Sequence, residues 1–463
     1  MQPLSTLTRR QLLQRLAVAS PVVLAPSLLS ACQHDEDPKP TFSGSVIIIG
    51  AGAAGLYAGQ LLAERGLTVT ILEASDAIGG RIKPLEGWGT PFPLELGAEE
   101  VHGNNSHWYR AAQQFGGAFK ADNTTDYQRI RLDVVPEAQA NQDPDVAEVR
   151  SFVAWLDEAN PATVPDVSVN QLAAQRGVLD TSNLLDALLG NEYGTDNQSL
   201  GARGVAEGSQ AWTAGEGNYS LASTPLLQVL RSLCPQAVDK VQLSTPVVAI
   251  NYRDGGVRVA DARGQIYQAD RCLITTSVGV LRSGNIEFTP ALPQVKQDAL
   301  RLIGFGPGMK ILLRFSSRFW PADLGSLYIP GAVPEFWSPS TGQDGGPYVL
   351  TAFVHGTEAA SLSAMGADAV DYVVGQLFGS FPGANPRGLL VSSHIEDWGK
   401  NPYIRGTYSY PLPGGTGARN GLAAPVAGKL FFAGEATHTG GHFGTVHGAV
   451  ETAERAVAEI LRS

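Results

Sequence analysis

A glycine-rich turn between a β-branched apolar run and a helix is the feature that most constrains this 463-residue chain. Ser45-Val46-Ile47-Ile48-Ile49 reads as a buried parallel strand, because strands covered on both faces are continuously apolar. Gly50-Ala51-Gly52-Ala53-Ala54-Gly55 follows at once. Gly50 permits the tight turn and Gly52 lets the backbone approach a pyrophosphate. Gly55, just after Ala54, lets the helix running through Leu62 pack closely on the strand. The helix N-terminus then faces the phosphates. A second strand, Thr68-Val69-Thr70-Ile71-Leu72, ends at Glu73, about 20 residues beyond the glycines, where a carboxylate accepts hydrogen bonds from ribose hydroxyls. An acid there suits FAD or NAD and argues against NADP. Glycine patterns alone often mark structural turns, but strand, glycines, helix, strand and acid in this order define a dinucleotide-binding domain.

Two further segments separate FAD from NAD. In Glu73-Ala74-Ser75-Asp76-Ala77-Ile78-Gly79-Gly80-Arg81 a glycine pair exposes backbone beside a cation suited to phosphates. Near the far end of the chain, Phe431-Phe432-Ala433-Gly434-Glu435-Ala436-Thr437 reads as a core strand that ends in a turn. These segments resemble those of the flavin amine oxidase superfamily, which includes monoamine oxidases, polyamine oxidases, L-amino-acid oxidases and lysine-specific histone demethylases. The resemblance spans the chain from Val46 to the C-terminal helix. It implies an α/β fold in which a Rossmann-like FAD-binding domain, a parallel sheet with helices, is interleaved with an α+β substrate-binding domain. It also implies flavin contacts at Gly80, Arg81, Gly97, Ala98 and Gly434, a hydrogen bond from Glu435 to the ribityl chain or ribose, and a backbone contact from Val247 to adenine. By the same resemblance Thr445 and Val446 would open the last helix beneath the flavin ring, where amides stabilise negative charge. Arg405-Gly406-Thr407-Tyr408 lacks the cysteine to which monoamine oxidases attach flavin, so non-covalent FAD is expected.

The catalytic expectation comes from the same resemblance. Gly304 to Phe315 resembles the segment whose lysine reaches through a water towards the reactive flavin nitrogen, which makes Lys310 the catalytic candidate. Read alone, a lysine opening an alternating strand is a solvated edge charge. Trp398 and Tyr408 match the aromatic walls of the amine site, where ring faces attract and align an amine; Tyr403 and Tyr410 read as packing. Monoamine oxidases carry a second cage tyrosine where this chain has Thr445, so the cage is half open. His102 fits the polyamine oxidase pattern and Glu100 departs from it. If Glu99 or Glu100 lines the cavity, the entrance is acidic and suits a second ammonium group. The substrate is left open among polyamines, monoamines and amino acids, since no arginine is assignable as a carboxylate clamp. A desaturase acting on a non-amine, and a tethered FAD protein that binds amines without turnover, stand as rivals. Oxygen or another acceptor takes the electrons.

Thr8-Arg9-Arg10-Gln11-Leu12-Leu13 resembles a twin-arginine export signal, followed by an apolar stretch too short and proline-broken to span a membrane well. Leu29-Ser30-Ala31-Cys32 resembles a bacterial lipobox, with Cys32 as the lipidated residue and the only expected membrane attachment. The expected layout is signal 1–31, tether 32–44, FAD-binding parts 45–105, 236–289 and 426–463, a helical substrate part 106–235 and a second substrate part 290–425. Net charge is −11, or −14 once the three arginines of the signal are set aside. That balance disfavours nucleic acid as a partner. Cys234 and Cys272 read as buried thiols with pairing left open, and the Cys and His spacings suggest no metal site. Asp254-Gly255-Gly256 reads as a hairpin turn between Val247 to Ile250 and Val257 to Val259.

Overall fold

The computed structural model describes residues 42–121, 123–178, 183–342 and 346–463. The export signal, Cys32 and most of the tether lie outside these residues. The apolar run Ser45–Ile49 forms the centre of a five-stranded parallel sheet ordered Leu430–Phe432, Arg271–Ile274, Ser45–Ile49, Thr68–Leu72, Val241–Gln242. Successive side chains of a strand point to opposite faces. Val46 and Ile48 pack with the helix Ala53–Glu64 and the C-terminal helix Val446–Arg462, whereas Ile47 and Ile49 pack against Val259, Cys272 and Ile274. Both faces are therefore covered, which is why the strand shows no polar alternation. Because Leu430–Phe432 joins this sheet beside Arg271–Ile274, the two sequence motifs from opposite ends of the chain meet in space. The Asp254-Gly255-Gly256 turn joins antiparallel strands Val247–Asn251 and Val257–Asp261, as predicted, with Gly256 at φ +92°.

A seven-stranded sheet forms the second body, ordered Leu390–Asp397, Gly308–Phe315, Tyr348–His355, Glu335–Trp337, Leu324–Tyr328, Thr125–Ile130, Asp133–Pro136. Met309, Ile311, Leu313 and Phe315 pack beneath the helices Gly356–Met365 and Ala369–Ser380. Lys310 and Leu312 consequently face the other way.

Residues 106–235 depart from a purely helical reading. Thr125–Ile130 and Asp133–Pro136 form a hairpin that extends the sheet through parallel pairing with Leu324–Tyr328. Within Thr125–Ile130 only Gln128 is buried, so no apolar alternation announces the strand. The helices Pro144–Glu158, Val169–Gln175 and Ala202–Gln210 share one core through Phe152, Leu172 and Val205. The helices His107–Phe115 and Leu226–Leu233 instead place Trp108, Ala112, Val229 and Leu230 in the core of the parallel sheet. An apolar helix stripe looks the same whichever core it faces. Among the described residues no helix is long and apolar enough to cross a membrane. Cys234 and Cys272 are both free and buried, and burial pushes the Cys234 thiol up to about 12.

Candidate active site

A cavity of about 1100 Å³ is shared between the glycine turn and the Lys310 face of the seven-stranded sheet. On the first side, the helix Ala53–Glu64 starts at Gly52, with no side-chain cap and no acid in its first turn. Its leading N–H groups and positive dipole end are thus left for an anion. Gly50 holds φ +105°, and a Cβ there would lie 2.7 Å from Thr275 Oγ1. Glu73 braces the turn: Oε2 accepts the Ala51 N–H at 2.7 Å, and Oε1 accepts the Ser75 N–H and hydroxyl at 2.9 Å. Oε1 has both lone-pair positions taken, whereas Oε2 keeps one for a ribose hydroxyl. Gly50, Gly52, Ala54, Glu73 and Val247 line the cavity, and Gly55 does not. A Cβ at Gly55 would sit 2.0 Å from the Gly50 carbonyl oxygen, so it serves helix packing. Uncapped amides, backbone laid open by glycine and a placed carboxylate fit the pyrophosphate and ribose of FAD.

Gly80, Arg81, Gly97, Ala98, Gly434, Glu435, Thr445 and Val446 also line the cavity. Glu435, expected to bond the cofactor, has protein partners on both oxygens. Oε1 accepts from Arg81 at 3.0 Å, and Oε2 accepts from the Ser409 hydroxyl at 2.5 Å and the Gly444 N–H at 2.8 Å. Burial pushes this carboxyl up, but Arg81, Arg419 and the hydrogen-bond donors outweigh it and hold the group below the usual carboxylate range. Glu435 therefore clamps three motif segments together, and Arg81 is committed to it. The Thr445 hydroxyl is likewise occupied, since it caps the last helix by accepting the Gly448 N–H at 3.0 Å and donates to the His442 carbonyl at 2.7 Å.

On the sheet side the cavity brings together Lys310, Trp398, Tyr408, His102, Glu99 and Glu100. Trp398 is buried and fixed by its N–H to the Leu96 carbonyl at 3.0 Å. Tyr408 donates to the Glu192 carbonyl, and its ring lies 5.3 Å from that of His355. His102 Nδ1 lies 2.7 Å from Asn218 Oδ1 and 4.0 Å from Glu100. Lys310 is no solvated edge charge, as its Nζ is buried against Glu99 Oε2 at 2.8 Å. Glu99 does line the cavity, but that ion pair compensates its charge.

Sequence reasoning missed Trp337, Phe353 and His355, which share these walls. The alternation of Tyr348–His355 was the available signal, since Phe353 stands in register with Lys310 and His355 lies two residues on. Burial, then the Lys310 charge, pushes His355 down to about 3, so it is neutral. Glu95, missed as well, accepts the Leu226 N–H at 2.7 Å, and burial pushes its carboxyl up to about 7.

Sequence reasoning also passed over a cluster in which His438, His442 and Glu451 present ligand-type atoms within 4.8 Å of one another, although the two histidines are four residues apart. Hydrogen bonding decides its chemistry. His438 Nδ1 accepts the N–H groups of Gly440 and His442 at 3.1 Å, and His442 Nε2 accepts that of Thr213 at 3.0 Å. Backbone N–H groups only donate, so each neutral ring carries its proton on the nitrogen facing Glu451 Oε2, at 2.8 and 2.6 Å. Those protons occupy the positions a metal would take. We expect added Zn²⁺ or Ni²⁺ to leave the melting temperature unchanged, whereas a saturable rise would overturn the proton assignment.

A dinucleotide-binding parallel sheet whose cavity opens onto a lysine and aromatic side chains of a second sheet defines a two-domain flavoprotein fold. The chain belongs to the family of flavin containing amine oxidoreductases, whose sequence model matches residues 53–461. It is 29% identical over 465 residues to Protein FLOWERING LOCUS D of Arabidopsis thaliana, covering 93% of this chain and 57% of that protein. It is also 29% identical over 446 residues to Polyamine oxidase 4 of Oryza sativa subsp. japonica, covering 90% and 88%. The chain spans little more than half the length of the first of these relatives. Its fold matches that of cyclohexylamine oxidase from Brevibacterium oxydans IH-35A, with a TM-score of 0.76, 20% identity, and coverage of 90% and 99%.

Proposed function

We propose that the chain oxidises a primary or secondary amine, with polyamine-like amines favoured, and gives an imine that water hydrolyses to an aldehyde or oxo product. The observation that carries this reading is the shared cavity, in which buried Lys310 and Trp398 and half-buried Tyr408 stand together with the dinucleotide turn. Likeness to Polyamine oxidase 4 along most of both chains supports the polyamine preference. Non-covalently bound FAD supplies the acceptor for the two electrons, which pass on to oxygen as hydrogen peroxide or to another acceptor. The protein's own part is to position and desolvate. Trp398 and Tyr408 align the amine between ring faces, and each is pinned by a hydrogen bond to a backbone carbonyl. Lys310 orients water beside the reacting atoms. His102 and Glu100 line the substrate's approach. Export by the twin-arginine route, with lipid attachment at Cys32 in the cell envelope, belongs to the same proposal.

The test is anaerobic mixing with polyamines, aromatic amines and L-amino acids while flavin absorbance is followed. Bleaching by an amine class supports the reading, and flavin that stays oxidised with every amine overturns it. In the Lys310→Met variant FAD stays bound, but flavin reduction or reoxidation slows on the order of 10²-fold. Unchanged rates in both half-reactions would remove Lys310 from the mechanism.

A further inference from the structure

Lys310 projects from the strand Gly308–Phe315 onto the cavity face, where its side chain is 5% exposed. A buried ammonium needs a partner. Its Nζ lies 2.8 Å from Glu99 Oε2, 3.2 Å from the Glu95 carbonyl and 4.9 Å from the centre of the Trp337 ring. The other Glu99 oxygen, Oε1, accepts the Trp337 indole N–H at 3.0 Å. Lysine, glutamate and tryptophan thus close a triangle in which each side chain is held by the other two, and all three line the cavity.

We propose that Glu99 is a positioning residue that keeps Lys310 cationic and cancels its field, so that the reaction face of the cavity meets an ion pair instead of a bare ammonium. This rests on the reading that places Lys310 beside the flavin. Neighbouring groups do not duplicate the role. Glu396 stands in register with Lys310 on one side, but Lys83 binds both of its oxygens at 2.8 and 2.9 Å. On the other side, beyond Phe353, Glu335 accepts the Ser326 hydroxyl at 2.8 Å. His355 is neutral, as described above. Burial disfavours the charged form of the Glu95 carboxyl, which lies in the segment that also carries Glu99. Lys120, pushed down by burial, feels both Glu99 and Glu100, and Glu100 stands beside His102. Among the described residues, Glu99 is the carboxylate within 4 Å of Lys310 Nζ.

The substitution Glu99→Gln keeps the shape and the acceptor for Trp337 while removing the charge. A buried ammonium stripped of its counter-ion releases its proton more readily, so the variant gains a proton-release step that the paired lysine lacks. Two readouts follow it: the visible spectrum of the oxidised flavin titrated without substrate, and the pH profile of flavin reoxidation by oxygen. E99Q shows the new ionisation in both. Wild type and the E99Q/K310M double variant do not, and Glu99→Asp restores the wild-type curves. Superimposable wild-type and E99Q curves, with K310M still impaired in a half-reaction, overturn the role of Glu99 alone. Should K310M prove unimpaired, the reading of Lys310 falls first and the proposal falls with it.

Discussion

Replacing Glu435 by alanine lowers folding stability by about 3–5 kcal/mol and releases the flavin. Glu435 is 5% exposed and stands against two guanidinium groups. Arg81 binds it directly at 3.0 Å, and Arg419 reaches it through Ser409, donating to that hydroxyl oxygen at 2.7 Å. Truncation strands the buried Arg419 charge, which burial already pushes down to about 10, and leaves the Gly444 N–H without its acceptor. Removing one partner of a buried ionic group costs far more than the intact group contributes. Because the folded-state carboxyl is held below the value of about 4.3 typical of the unfolded chain, its contribution is complete above that value. It disappears as pH falls through the folded value. Urea unfolding at pH 7 and from pH 5 to 3, with flavin content read by absorbance, checks both parts. The alanine variant loses less stability on acidification than wild type. Equal losses, or full flavin content, would show that the clamp holds neither the fold nor the cofactor.

The glycine turn, its flanking strands and Glu73 were legible in the sequence because each acts within about 25 residues and has its own local signature. The hairpin at Asp254-Gly255-Gly256 was legible for the same reason. The partners that decide the chemistry were not. Glu99 meets Lys310 across 211 residues and Trp337 across 238. Nothing at position 99 distinguishes a carboxylate that pairs with a buried lysine from one that faces a substrate ammonium. Glu435 shows the same limit from the other direction. Its place in the cavity wall was expected, but which atoms satisfy its oxygens depends on Arg81, Ser409 and Gly444 arriving from three separate segments. The His438, His442 and Glu451 group had its spacing in plain view, yet its proton positions follow from backbone N–H directions that only the folded loop sets. The strand Thr125–Ile130 was hidden because its pairing with Leu324–Tyr328 is long-range and its side chains are mostly polar.

Gly97→Ala should damage cofactor retention and turnover together, because position 97 lies where the two halves of the site touch. A Cβ at Gly97 would fall 1.9 Å from the Arg81 carbonyl oxygen and 3.1 Å from Trp398 Cζ2. The first contact is with backbone, so it is not relieved by a change of rotamer. Ala98 N–H donates to that same carbonyl at 3.0 Å, while the Leu96 carbonyl accepts the Trp398 N–H at 3.0 Å. The methyl group must therefore shift the Arg81 turn on one side or the aromatic wall on the other. Overpacking of this kind costs about 1–3 kcal/mol, and more where backbone must move. A displacement of roughly 1 Å at a positioning side chain costs about 10²-fold in rate. Gly255→Ala provides the control, since nothing lies within 4 Å of a Cβ there. The expected result is a Gly97→Ala protein with a lower melting temperature, depleted flavin and, in the fraction that retains flavin, slower reduction by amine, beside a Gly255→Ala protein like wild type. Flavin retention and reduction rates equal to wild type in Gly97→Ala would mean that the packing of position 97 between the Arg81 carbonyl and Trp398 relaxes freely, and that the cofactor and the aromatic wall are positioned independently.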